Sequence, residues 1–198
     1  MKGLLIKDLY TLKRYALYYA IYCAAFTLLA VFLDNPAFVT GLAMLLPLSA
    51  TAAVVTCDRK DDWTAYSLAC GLSPSVIAAE KYIVALAFSA VSVALWPLAY
   101  FLSAPPAVEL SGLAMTAALS LAVVALSVPL AYKFGAERGR LLLGIIALAL
   151  LAAAVALMTA FGDGIAAAPA YLLALPPAGC AAACVGSFFV TRAVIRNL

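Results

Sequence analysis

The chain contains no histidine. That removes the commonest general base, the commonest metal ligand and the usual physiological pH switch. Charge is scarce as well: Asp, Glu, Lys and Arg make up 11% of 198 residues, against about a quarter in a soluble domain. No G-x-x-x-x-G-K-[ST] phosphate loop occurs anywhere, so the chain does not bind ATP in that manner. Five cysteines are present, Cys23, Cys57, Cys70, Cys180 and Cys184. Structural zinc needs about four N or S ligands; two thiols near one loop with no imidazole do not supply them. The cysteines therefore read as small apolar residues. No small-residue cleavage site follows a short apolar region at the N-terminus, which argues for an uncleaved first span.

Apolar sequence is what the chain has in abundance. It is 68% hydrophobic with a mean hydropathy of +1.13. These values place it as an all-α integral membrane protein, with residues 1–198 forming a single transmembrane domain. A span needs about 20 mostly apolar residues, and six stretches qualify: 15–33, 37–55, 82–102, 110–132, 141–161 and a last region within 165–190. Residues 1–14, MKGLLIKDLYTLKR, mix charge with Leu5, Leu9 and Leu12 on one helical face. They read either as an interfacial helix lying flat on the membrane or as a basic flank that orients the first span.

The charge distribution sets the orientation. All twelve Lys and Arg fall in the N-terminus, the loop after the second span, the 133–140 loop or the C-terminal tail. With six spans these four regions share one side. The other side holds Asp34, Glu109 and Asp163 and no basic residue. The positive-inside rule then puts both termini and the central loop in the cytoplasm of a multi-pass protein of the cell membrane. No expected span carries an ionisable Asp, Glu, Lys or Arg at its middle, whereas proton-coupled carriers keep such groups at depth. A membrane enzyme is disfavoured for the same reason.

Some spans carry packing signals. Ala16, Ala20 and Ala24 form a small-xxx-small face. Beside it Tyr15, Tyr18, Tyr19 and Tyr22 recur at i, i+3, i+4 and i+7. This stripe reads as a substrate path or dimer interface, or as an aromatic belt with interhelical hydrogen bonding. Pro47, Pro97 and Pro129 fall within or near span interiors, where proline removes a backbone donor. The pair Pro176-Pro177 suggests a break in the last region. Either a short external or re-entrant helix over 165–175 precedes a final span from 176 to 191, or one long kinked helix runs through.

The organising stretch is 56–81, the longest run that cannot sit in hydrocarbon. With Asp58, Arg59, Lys60, Asp61, Asp62, Glu80 and Lys81 it holds seven charged residues. The three aspartates lie at or before the start of a short predicted helix, where carboxylates favour the positive end of the dipole. Trp63, Tyr66 and Cys70 share one of its faces. Gly71 is a stop signal with Leu72 as the following hydrophobic contact. Ser73-Pro74 then restarts a helix, with Ser as N-cap and Pro at the first position. That helix climbs through Glu80 and Lys81, expected near the membrane surface, into the third span at Tyr82. The result is an amphipathic foot whose aromatic side either docks in a groove of a partner or rests among headgroups.

This loop resembles the corresponding region of the small six-span permeases of ABC transporters of the type-2 exporter class, which include phenol-soluble-modulin and bacteriocin-immunity exporters. Met1-Lys2-Gly3-Leu4-Leu5-Ile6-Lys7-Asp8 matches their basic start. Asp61-Asp62-Trp63 with Tyr66 matches their acidic, aromatic segment, and Lys81-Tyr82 their entry into span three. The sequence Gly71-Leu72-Ser73-Pro74-Ser75 departs from the P-x-S-R turn of many members and lacks its arginine. The resemblance implies six helices, an N-terminal interfacial helix, a coupling helix in the first cytoplasmic loop and short external helices before the last span. It further implies a non-catalytic subunit that pairs with a second permease and rests on a separate ATPase. ATP and Mg would then sit on that partner and no cofactor on this chain. Asp58, Asp61, Asp62, Trp63, Tyr66, Ser73, Pro74, Glu80 and Lys81 become the ATPase-coupling residues. Cargo would be a peptide, drug or lipid-like amphiphile, as in peptide transport or antimicrobial resistance. Membrane lipids are the other expected partner, and nucleic acid is not. An alternative is the substrate-binding membrane subunit of a vitamin importer, which shares the length and the small-residue repeat in the first span but lacks so long a charged, aromatic loop.

Overall fold

The computed structural model describes residues 2–35, 37–103, 110–134, 141, 142, 144, 145, 148, 149, 152 and 175–196. These form helices and turns with no strand among them. A short helix, α1 (Lys2–Lys13), is followed after the turn at Arg14 and Tyr15 by α2 (Ala16–Phe32). Three more elements follow: α3 (Ala37–Lys60), the seven-residue α4 (Trp63–Ala69) and α5 (Pro74–Ser103). The last two are α6 (Leu110–Phe134) and α7 (Leu175–Arg196). Four of these, α3, α5, α6 and α7, are long and apolar enough to cross a membrane. The count becomes five if α1 and α2, bent by 65° at their junction, are one broken span. Of the expected fifth span only the seven described residues between 141 and 152 are placed, and they are helical. The short helix expected before Leu175 lies outside the described residues.

The helix breaks follow local chemistry. α1 ends where the Tyr15 N–H bonds the Leu12 carbonyl at 2.9 Å. Its docked face is Leu4, Asp8 and Leu12, all buried, while Leu9 is exposed. The expected Leu5–Leu9–Leu12 face is thus corrected by about a quarter of a turn, because the carboxylate of Asp8 finds cationic partners inside the fold. α3 runs five residues past the expected end at Val55 and carries Asp58 within it. Pro176 and Pro177 are the second and third residues of α7 as described. The helix continues to Arg196, five residues beyond the expected Thr191.

α3 is central: Leu42, Ala43, Met44, Leu46, Ala50, Val54 and Val55 are all buried. α5 and α6 run antiparallel, with Trp96 against Gly112 at one end and Tyr82 near Tyr132 at the other. α7 runs parallel to α6, as Cys184 donates to the Leu121 carbonyl at 3.2 Å and Ser187 to that of Ala125. Small hydroxyls tie the remaining pairs. Thr40 and Thr116 share a hydrogen bond of 2.8 Å between α3 and α6, and Ser89 and Ser120 share one between α5 and α6. Each such bond is worth about 0.6 kcal/mol in a membrane bundle, so they set register more than they set stability. α2 packs through Tyr15, Tyr19, Cys23, Phe26 and Ala30. Ala16, Ala20 and Ala24 lie exposed on its flank, so their small-residue face does not pack against the described residues.

Candidate functional site

The C-terminal ends of α3, α6 and α7 and the N-terminal end of α5 meet at one end of the bundle, with α1 and α4 packed there. The stop after α4 and the restart at α5 fall where the sequence sets them. Asp62, at the N-cap position, adopts φ 47° with no side-chain cap, and Asp61 and Asp62 are exposed just before the helix. At the other end the Gly71 N–H bonds the Leu68 carbonyl at 3.0 Å and the Leu72 N–H that of Ser67 at 3.1 Å. This pair of bonds is a Schellman stop, and Gly71 at φ 83° supplies its left-handed residue. Pro74 is the first residue of α5, after Ser73, whose carbonyl accepts from the Val76 N–H at 3.0 Å.

Thr64 and Ser67 face inward and are buried. Tyr66 and Cys70 face outward, and Tyr66 is 60% exposed. The Trp63 and Tyr66 rings lie 5.5 Å apart. Trp63 is half-buried, because Lys7 of α1 places its ammonium 4.9 Å from the indole centroid. That cation–π contact turns Trp63 into a tether between α1 and α4 and leaves Tyr66 as the outward aromatic.

Behind the foot lies a buried ionic cluster. Lys81 of α5 reaches Asp8 Oδ2 of α1 at 2.8 Å and Asp58 Oδ2 of α3 at 2.6 Å. Lys7 bridges Asp58 and Asp8, the latter at 3.1 Å. Glu80 Oε1 lies 3.5 Å from Lys81 Nζ. Asp8, Asp58, Glu80 and Lys81 are each at most 3% exposed. Three carboxyl groups therefore face two ammoniums, Lys81 enclosed and Lys7 partly exposed, and Lys81 joins α1, α3 and α5. Interactions of this kind are strong because both partners are out of water, and they are damaging when one partner is lost. Arg59 completes the end of the bundle by donating to the Tyr132 carbonyl in the last turn of α6, where a cation also meets the negative end of the dipole.

The expected coupling residues thus fall into two groups. Asp61, Asp62, Tyr66 and Ser73 are exposed, with Trp63 and Pro74 half-buried beside them. Asp58, Glu80 and Lys81 are not on that surface. Asp58 belongs to α3 rather than to the start of the short helix, and Glu80 and Lys81 are enclosed within the protein near the start of α5. Tyr82 is also enclosed, with its hydroxyl 2.5 Å from Ser187 Oγ and 3.2 Å from Thr191 Oγ1 of α7. The physical reason is that α1 folds over this end and supplies Lys7 and Asp8. Neither residue stands out as a site in the sequence. A usable signal was there in Asp8, a carboxylate between Leu4 and Leu12 on the apolar face of α1.

The tyrosine stripe forms a second feature. Tyr15, Tyr18, Tyr19 and Tyr22 of α2 line an open groove of about 520 Å³ against Leu45, Leu48, Ser49, Ala52, Ala53 and Thr56 of α3. Its lining has no charged residue.

Among the described residues no group of His, Cys, Asp and Glu is arranged to hold a metal ion. Compared with known protein families, residues 3–195 match the model of the ABC-2 family transporter protein. No curated protein and no solved structure matches. The match does not favour the vitamin-binding alternative. Covering nearly the whole chain, it shows that the protein belongs to the ABC-2 transporter family, as a multi-pass membrane permease of the kind that partners an ATPase subunit in an ABC transporter.

Proposed function

We propose that the chain is the permease subunit of an ATP-driven exporter and that α4 is its coupling helix. The observation that carries this reading is the build of the foot. α4 is held by the Lys7–Trp63 contact, which links it through Lys7 to the ionic cluster, and is ended by the Schellman stop, while Tyr66 and Cys70 are exposed. A short rigid helix with one anchored and one free face is suited to sit in a groove of a moving partner. When two ATPase subunits close on ATP, the foot follows, and α1, α3 and α5 move with it because Lys81 joins all three.

Six spans with both termini in the cytoplasm remain the best reading. The parallel course of α6 and α7 supports it, since a chain leaving α6 at one end must return to the other before α7 begins. Pairing with a second permease is supported by the exposed Ala16–Ala20–Ala24 face of α2, which lets another helix approach closely. Cargo is an amphipathic or hydrophobic molecule such as a peptide, drug or lipid-like compound, consistent with apolar helix interiors free of ionisable groups. ATP and Mg belong to the partner. The test is the double variant Trp63→Ala/Tyr66→Ala. Loss of ATPase binding with the thermal unfolding of the purified permease shifted by only a few degrees is expected. Full retention of the ATPase would refute the coupling role of α4.

A further inference from the structure

We infer that the tyrosine groove between α2 and α3 is a seat for one anionic phospholipid of the surrounding bilayer, with an acyl chain along the groove and the headgroup phosphate at its basic mouth. The groove rows on α3 run Leu45, Ser49, Ala52 or Ala53, and Thr56, and one further turn brings Lys60, which is exposed. On α2 the row Tyr22, Tyr18 or Tyr19, and Tyr15 leads into the turn of Arg14 and Lys13, both exposed. Three cations therefore flank the Tyr15–Thr56 end, whereas the opposite end, at Tyr22 and Leu45, is bordered by apolar residues. None of the three has an ion-pair partner among the described residues. Asp61 and Asp62 lie beyond Lys60 on the turn into α4, and Arg59 is turned away to the Tyr132 carbonyl.

The groove itself is apolar with a polar trim: phenol hydroxyls with Ser49 and Thr56, and no charge. It is continuous with the exposed apolar flank of α2 at Leu17, Ile21, Leu28 and Phe32, so a chain can enter from the side. A second copy of the protein fits this place poorly. A two-fold contact presents the same patch to itself, and would set Lys13, Arg14 and Lys60 against their own copies. Basic pockets between helices at a membrane surface favour anionic headgroups instead. The small-residue face of α2 lies on its other flank, so a paired permease and a bound lipid do not compete.

The test is native mass spectrometry of the purified chain in mild detergent, titrated with dioleoyl-phosphatidylglycerol or dioleoyl-phosphatidylcholine. One phosphatidylglycerol per chain is expected to be retained in preference to phosphatidylcholine. Each of Lys13→Ala, Arg14→Ala and Lys60→Ala is expected to weaken that retention about fivefold. Arg192→Ala/Arg196→Ala, at the end of α7, is expected to leave it unchanged. Ser49→Leu/Ala52→Leu, which fills the groove, is expected to reduce retention of both lipids. Equal retention of the two lipids by the native chain, or unchanged preference in a variant carrying Lys13→Ala, Arg14→Ala and Lys60→Ala together, would overturn the proposal. So would efficient disulfide crosslinking of a Tyr18→Cys variant to itself in native membranes, which would show the groove closed by a second copy.

Discussion

Lys81 is the residue on which most of the buried charge depends. It contacts Asp8 and Asp58 at hydrogen-bonding distance while almost fully enclosed. Lys81→Met leaves Asp8 and Asp58 with Lys7 as their remaining cation, and removing one side of a buried pair typically costs about 3–5 kcal/mol. Thermal unfolding of the purified chain in detergent should show that loss. Combining it with Asp8→Asn should cost less than the two single losses added, since fewer charges then remain unpaired. A second residue-level expectation concerns glycines. A Cβ at Gly112 would stand 2.8 Å from Trp96 Cζ2, whereas one at Gly179 meets nothing within 4 Å. Trp96 is enclosed and stacked on Tyr100, so it cannot give way freely. Gly112→Ala should destabilise by about 1–3 kcal/mol, as overpacking does. Gly179→Ala, in the helical α7, should be neutral or stabilising by up to about 1 kcal/mol. The same unfolding measurement separates them.

At the scale of the elements, the stops and starts of helices were legible and the docking of one helix was not. Gly71-Leu72 and Ser73-Pro74 announce the end of α4 and the start of α5 because their chemistry is local: a left-handed residue, a hydrophobic contact and a proline that lacks only an orphan donor. Gly71→Ala should therefore strain the stop by about 1–2 kcal/mol, measurable as a fall in unfolding temperature and a weaker hold on the ATPase. The placement of α1 is different in kind. Its charges lie about fifty residues from Asp58 and over seventy from Lys81, and nothing in the local pattern specifies that Asp8 turns inward. The same distance effect hides Lys7 on Trp63, which makes the first aromatic of the foot an internal tether and the second its outward face. The tyrosine stripe was visible as a period, but its groove needs α3 on the other side.

For the whole molecule, the partition of basic residues and the end-to-end arrangement of the bundle agree. Lys7, Lys13, Arg14, Lys60, Lys81, Lys133 and Arg196 all belong to the end where α3, α6 and α7 finish and α5 begins. Placing that end in the cytoplasm makes Cys70 a reporter of orientation, because it is an exposed thiol on the foot. A membrane-impermeant maleimide should label it in inside-out vesicles stripped of peripheral proteins and not in intact cells, and Cys70→Ser should remove the signal. Labelling from outside the cell would reverse the orientation.

We hold that this permease works through a separate ATPase docked at the α4 foot. Purification of the tagged chain in mild detergent from its native membranes, with the co-purifying proteins identified, tests this. The expected result is a stoichiometric soluble subunit bearing a phosphate-loop motif, lost from the Trp63→Ala/Tyr66→Ala variant, together with a second permease. A chain that emerges alone, or an ATPase retained in full by that variant, would contradict it.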